Sequence, residues 1–497
     1  MGTPDEVITR FLNFACWDHT VSSKSDHRMY DRAAQRLLAQ YPEVARHNLY
    51  TAIVCGQVEE VERLLKAQPL AANESGGSRQ WPPLLYLCFT RFTHQQTIDN
   101  AVTIARMLLD RGADPNAYYM AGNSRYSALV GVAGEGEQDS PRQPQAPALF
   151  QLLLERGAKP FDLQVLYNTH FRGDWLWWLQ LVYDHTMKSE LKHAWDDPNW
   201  EMFEMGPFGT AAHLLLHVAV FKNDLHLAEW VLSHGASPNP RLPTKLRYKP
   251  KHSPYEFALL CNLTEMVKLF ERFGAKTEAT NIKEFQGEES FVAACFRMDR
   301  DEVSAQLKAH PEYLQSTGPI YAVTQRDRAD VVALLLNLGT PIEIANETNK
   351  RIIHEAAAHN ALRVAKLVVE RGAEIDPIET TWDTTPIGWA AHADHIEMVE
   401  FLSEFSRDIW TLSFWGYVDR LREVLREDPE LARLVDKEGI TPLWWLPDDE
   451  TTAIEIVELF IAHGADPSRK NNSGRTAADW ATTRGMLKVA EVLRNRS

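Results

Sequence analysis

The chain has 497 residues, with 52 Lys and Arg against 68 Asp and Glu, for a formal net charge of −16. Hydrophobic (44%) and charged (24%) fractions of this size exclude wholesale disorder. The acidic balance excludes non-specific nucleic-acid binding, which needs clustered Lys and Arg, and biases the chain toward cationic or neutral partners.

Residues 1–46 read as a helical N-terminal cap. The opening MGTPDEVITRFLNFACWDH carries acids where a secretory leader carries Lys or Arg, and no long apolar run follows. Gly2 is followed by Glu6 where an N-myristoylation signal has Ser or Thr. No stretch approaches the ~18 apolar residues of a membrane-spanning helix. The five cysteines (Cys16, Cys55, Cys88, Cys261, Cys295) are widely spaced and lack any CxxC, which suits a reducing compartment and neither a disulfide framework nor zinc. The expectation is a cytoplasmic monomer with no membrane partner.

From residue 47 onward two short patterns recur in alternation. One is an apolar helix end, then Gly, then a polar turn: LLDRGADPN (108–116), LLERGAKP (153–160), VLSHGASPN (231–239), LFERFGAKTE (269–278), LLLNLGTPIE (334–343), VVERGAEID (368–376) and FIAHGADPS (460–468). Gly past the last turn provides a left-handed cap, and Asp, Asn and Pro build the turn. Upstream lie PPLLYL (82–87), SALVGV (127–132), LLLHVA (214–219), SPYEFA (253–258), GPIYAV (318–323), RIIHEA (351–356), TPIGWA (385–390), TPLWWL (441–446) and TAADWA (476–481). The spacing predicts about 12 or 13 helix–turn–helix units. Degenerate ones at 56–71, 299–314 and 416–432 stop at a Pro-containing segment instead of Gly.

These residues resemble the ankyrin repeat family over nearly the whole chain. The family opens each unit with Thr-Pro-Leu-His-x-Ala and closes on its cap Gly within a span of 22 residues, a spacing kept from Leu214 to Gly235, Ser253 to Gly274, Gly318 to Gly339 and Arg351 to Gly372. The resemblance implies an all-α ankyrin-repeat solenoid with a helical N-terminal cap and an irregular, insertion-rich segment. Four parts follow: the cap, 1–46; repeats with long insertions, 47–160; a degenerate Trp-rich segment, 161–208; and repeats from 209 to a C-terminal capping repeat at 497. Pro82 to Gly112 and Ser127 to Gly157 each run 31 residues, so the irregularity is confined to 80–210.

No nucleophile, glycine-rich phosphate or calcium-loop motif is present. His354-Glu355…His359 has one residue too many for a zinc-protease helix. The family register explains His217, His354 and His395 as structural histidines bonding backbone near the turns. A metal at His213 and His217 with His226 or Asp196 is the weaker alternative. No metal and no cofactor are expected. The segment 131–147, rich in Gly, acids and Pro, reads as an exposed loop.

The resemblance implies a non-catalytic scaffold that binds a protein or peptide through the concave face. Its exposed positions include Trp81, Tyr126, His213 and His252 before the helices, and Phe221 on an inner helix. Trp175, Trp177, Trp178, Trp195 and Trp200 crowd into 26 of the chain's residues, alongside Phe208. Trp175 and Trp178 suit a core. Trp195 and Trp200 flank Asp196, Asp197, Pro198 and Asn199, with Glu201 following, and read as a binding loop. Rings beside carboxylates suit cationic or proline-rich partners. The candidate site is therefore a groove of Trp81, Tyr126, Trp195, Asp196, Asp197, Trp200, Glu201, His213, Phe221 and His252. The rival is an enzyme or a cation or sugar receptor, with a pocket in residues 120–255.

Overall fold

Two kinds of helix stop recur along the chain and set its architecture. The computed structural model describes residues 4–20, 27–136, 140–171, 173–206, 209–242, 252–276 and 285–496. Among the described residues the fold is all-α apart from one hairpin, and the chain divides into two compact units, 1–255 with 268–276 and 256–267 with 277–497.

The first stop ends those outer helices that close on Gly. At Gly112 (φ 83°) the chain turns left-handed, and the Ala113 N–H donates to Leu108 O at 3.0 Å. The same bond recurs from Ala158 to Leu153, Ala236 to Val231, Ala373 to Val368 and Ala465 to Phe460. It satisfies a carbonyl that the helix end would leave orphaned. The second stop ends the inner helix, where Asn223, Asp327, Asn360 and Asp394 take left-handed φ and the next residue donates five positions back. Asn and Asp tolerate that conformation better than other side chains. Inner helices start where Thr side chains accept from the third helical N–H, as at Thr210, Thr385 and Thr476.

In the first unit, α1 (Pro4–Ala15) packs on α2 (His27–Gln40), α3 (Leu49–Val54) on α4 (Val58–Ala67) and α5 (Pro83–Phe89) on α6 (Gln95–Asp110). The strands β1 (Tyr118–Ala121) and β2 (Ser124–Ser127) form an antiparallel hairpin leading into α7 (Ala128–Ala133), which packs on α8 (Ala146–Glu155). α9 (Leu163–Thr169) packs on α7, and α10 (Leu176–Thr186) on α8. α11 (Ala211–Lys222) and α12 (Leu225–Ser233) pair in turn. Next in sequence come α13 (Pro254–Leu260) and α14 (Thr264–Arg272).

The second unit pairs α15 (Glu288–Arg297) with α16 (Arg300–Ala309), α17 (Thr317–Thr324) with α18 (Ala329–Leu338), and α19 (Ile352–Ala358) with α20 (Leu362–Glu370). It continues with α21 (Pro386–His392) on α22 (Ile396–Ser403) and α23 (Ile409–Phe414) on α24 (Val418–Glu427). α25 (Glu450–Ala462) packs on α24 and on α27 (Leu487–Asn495), whose partner is α26 (Ala477–Thr483). TPLWWL forms only a 3-10 turn, Pro442–Trp444, because Pro447 forbids a helix through Leu446. Counting that turn as a first member, α3 to α27 make thirteen pairs among the described residues. Small side chains such as Ala356, Ala357, Ala361 and Ala365 let the helices approach, and Val331, Leu335, Val364 and Val368 fill the space between them.

Two expectations change here. The 131–147 segment is not an exposed loop: Glu135, Ser140 and Gln143 are buried, with residues 137–139 outside the described set. The Arg91 guanidinium draws the segment inward, donating to Ser140 Oγ at 3.0 Å and Gly131 O at 2.7 Å. Nor is 193–201 a free loop. Glu190–Asp196 is a 3-10 turn, and Asp197–Asn199 is the ordinary repeat turn. Its lock is an Asn whose Oδ1 accepts a backbone N–H from the next turn: Asn116 from Lys159, Asn199 from Arg241 and Asn239 from Lys276.

Candidate interaction face

Inner helices expose side chains at fixed distances before their left-handed stop. α9 runs into Gly173 and α11 into Asn223, and each stop is followed by Asp. Counting back ten, six and two residues pairs Leu163 with His213, Tyr167 with His217 and Phe171 with Phe221. Residues four apart share one helix face, so Leu163 and Tyr167 lie on one face of α9, with Phe171 in the turn that follows it, and His213, His217 and Phe221 form a stripe on α11.

The α9 stripe is open to solvent: Leu163 is 38% exposed, and Tyr167 and Phe171 are each 41% exposed. Tyr167 meets Phe171 edge-on at 5.6 Å, and the His170 ring lies 4.0 Å from Phe171. Lys222, beside Phe221, donates to Phe171 O at 3.4 Å and ties the two stripes together. On α11, His213 is buried, while His217 and Phe221 are half-buried. His213 stacks on His217 at 5.7 Å. Burial, with His217 second, depresses His213 to about 4, so its ring is neutral near pH 7.

The other expected site residues fall into separate groups. Trp81 and Tyr126 do meet, through Tyr119, in a stacked run: Trp81 to Tyr119 at 4.6 Å, Tyr119 to Tyr126 at 5.4 Å and Tyr126 to His19 at 4.5 Å. Trp81 is buried and closed over by the Arg79 guanidinium at 5.3 Å. The run braces the hairpin, where Tyr119 and Tyr126 are cross-strand neighbours.

Trp195 and Trp200 sit elsewhere and are 4% and 0% exposed, so neither ring faces a ligand. Trp195 packs edge-on against Trp200 (4.9 Å), Tyr183 (5.1 Å) and Phe161 (6.0 Å), and its indole N–H donates to Thr186 Oγ1. Both rings fill space that small residues fill in a regular repeat. The acids beside them are turn parts: Asp197 caps Asn199 and Glu201, Asp196 pairs with His193, and Glu201 pairs with Arg241. Trp175 and Trp178 are fully buried. His252 is half-buried at the edge of residues 243–251, which lie outside the described set, as does Phe208.

The arrangement suits non-covalent contact. Burial pushes the thiols of Cys16, Cys88 and Cys295 up to about 12, so they are protonated at neutral pH. His354 is buried, accepts from the Arg351 N–H at 3.1 Å and is depressed to about 4 by desolvation. His395 binds the Ala357 carbonyl of the preceding pair, as a structural histidine does. Among the described residues there is no group of three metal-ligating side chains, and no helix long and apolar enough to cross a membrane. Sequence reasoning missed Tyr167 and Phe171, which carry no motif; register counted from Gly173 and Asn223 finds them.

The family model for ankyrin repeats (many copies) matches residues 353–402. Among curated proteins, the chain is 21% identical over 426 residues to the ankyrin repeat and KH domain-containing protein mask-1 of Caenorhabditis elegans, covering 82% of this chain and 14% of that one. It is 25% identical over 299 residues to the human transient receptor potential cation channel subfamily A member 1, covering 55% of this chain and 26% of the channel. It is 27% identical over 145 residues to the putative palmitoyltransferase ZDHHC13 of Danio rerio, covering 27% of this chain and 22% of that protein. The matched stretches thus span between 14% and 26% of these relatives' lengths.

Proposed function

We propose that this chain, an ankyrin-repeat protein, holds a protein or peptide partner on the inner-helix face of α9 and α11 and performs no chemistry on it. Ankyrin repeats are interaction scaffolds, and the partner is chosen by exposed positions rather than by the fold. The observation that carries the reading is the exposed Leu163, Tyr167 and Phe171 stripe beside Phe221. An aromatic face held on packed helices loses little conformational entropy on binding, and such rings dominate binding energy when a partner covers them. Ring faces favour prolyl rings and cationic side chains, and the net charge of −16 favours a basic partner.

The test is a Tyr167→Ala/Phe171→Ala double variant of the full chain. A partner recovered from native extract with the wild type should bind the variant at least about 30-fold more weakly, on the order of 2 kcal/mol. The melting transition should hold, because both side chains are exposed. Unchanged affinity for the same partner would remove this face from the binding site.

A further inference from the structure

We propose that a row of turn tips on the second unit is a self-association surface, and that its occupant is a second copy of this chain related by a two-fold axis. Four tips stand in the row: 346–350 before α19, 378–383 before α21, 436–439 before the Pro442–Trp444 turn and 471–474 before α26. Each is tied to the next. The Thr380 N–H donates to Thr348 O at 2.8 Å, Lys437 Nζ lies 2.9 Å from Asp383 Oδ2, and the Asn472 N–H donates to Glu438 O at 2.9 Å. Between the second and third tips the row has a gap, because only residues 404–408 link α22 to α23. The Lys437–Asp383 pair spans that gap.

Apolar side chains flank it. Trp382 is 60% exposed, Ile378 54% and Leu434 41%. The second tip is rigidly held. The buried Glu379 carboxylate accepts the N–H groups of Thr381 and Trp382, each at 2.8 Å, and Asn349 Nδ2 donates to Ile378 O at 2.7 Å. A ring presented on backbone that is already ordered loses little freedom when a partner covers it, and Trp is foremost among the side chains that anchor such contacts.

Charge selects the occupant. Around the first tip, Arg351 pairs with both Glu343 and Glu374, and Glu347 adds a further exposed acid, so this end is acidic. Around the fourth, Arg469, Lys470 and Arg475 are all exposed, while the nearby acids Asp466 and Asp479 are turned to Ser468 and Thr476. The row therefore runs from acidic through apolar to basic. A two-fold axis over the gap reverses that order. The acidic first tip then faces the basic fourth tip of the copy, and Trp382 and Ile378 face its Leu434. A uniformly basic or uniformly acidic partner would match one end and be repelled at the other.

The experiment is sedimentation velocity on the full-length chain, from micromolar to near-millimolar concentration. A monomer–dimer equilibrium is expected in place of a lone monomer, weak because a row of tips buries little area, and weaker still in high salt. Trp382→Ala, at an exposed position, should raise the dissociation constant at least about tenfold and leave the melting temperature unchanged. Glu347→Lys and Lys470→Glu should each weaken the dimer about fivefold, since the axis repeats every pair, and the double variant should recover it. Recovery within a single chain is what a two-fold contact between copies demands. Tyr167→Ala/Phe171→Ala, in the first unit, should dimerise as the wild type does. A chain that stays monomeric throughout overturns the proposal and leaves the row to a different protein. So does a Trp382→Ala dimer of wild-type affinity, a charge-swapped double variant no tighter than either single one, or loss of the dimer in Tyr167→Ala/Phe171→Ala.

Discussion

The stop residues separate two costs that a glycine substitution usually mixes. Gly372 ends α20 at φ 83°, and a Cβ added there meets nothing within 4 Å. Gly56 ends the α3 turn at φ 68°, where a Cβ would lie 2.2 Å from Gln96 O. The first site tests conformation alone, the second conformation plus collision with backbone. Gly372→Ala should therefore cost about 1–2 kcal/mol, the price of a left-handed Ala. Gly56→Ala should cost clearly more, because the α6 start must shift as well. Urea melts of both variants check this, and equal losses would refute the collision term. Asn223, Asp327 and Asn360 hold the same conformation without Gly, and this is why an inner-helix stop is harder to read from sequence than an outer one.

At the scale of elements, the degenerate repeat around α10 substitutes large rings for the usual small-residue packing. Trp175, Trp178 and Trp200 are completely buried, and Trp195 nearly so. Trp200→Ala should cost about 3–5 kcal/mol, as for a large aromatic deleted from a core. Trp195→Phe should cost less, since it keeps most of the ring and gives up only the bond to Thr186, worth about 1 kcal/mol. Denaturant titration of the two variants measures the order, and a Trp200→Ala loss below that of Trp195→Phe would contradict the packing. The misplacement of these rings has a plain physical cause. Asp-Asp-Pro-Asn reads equally well as an insertion loop or a repeat turn, and only the long-range bond from Arg241 N–H to Asn199 Oδ1 decides between them. The α9 stripe was hidden for the opposite reason: Tyr167 and Phe171 match no motif, and their exposure follows from the register of a helix that lacks the Thr-Pro opening.

Over the whole molecule, local signals carried what local physics determines. Caps, stops and the 22-residue spacing were legible because each is set within one helix pair, and they predicted the thirteen pairs almost to the unit. Which side chains gather into a site depends on contacts between pairs, which a single sequence encodes only weakly. The same logic yields a pH prediction that neither unit escapes. His213 in the first unit and His354 in the second are each depressed to about 4 by burial, against an unfolded value near 6.5. Both bind their proton more readily when unfolded, so stability contributed by the neutral rings is complete above about pH 6.5 and is lost as pH falls toward 4. The ceiling is roughly 3 kcal/mol for each ring, from about 1.4 kcal/mol per pKa unit. Melting temperatures should be flat from pH 8 to 7 and drop between pH 6.5 and 4.5. His213→Gln and His354→Gln should each flatten the drop, even where they lower the plateau. If neither variant changes the slope, the acid response belongs to carboxylates held below their usual range, such as Asp330 by its bond from Arg328 and Asp479 by its bond from the Thr476 N–H, rather than to the histidines.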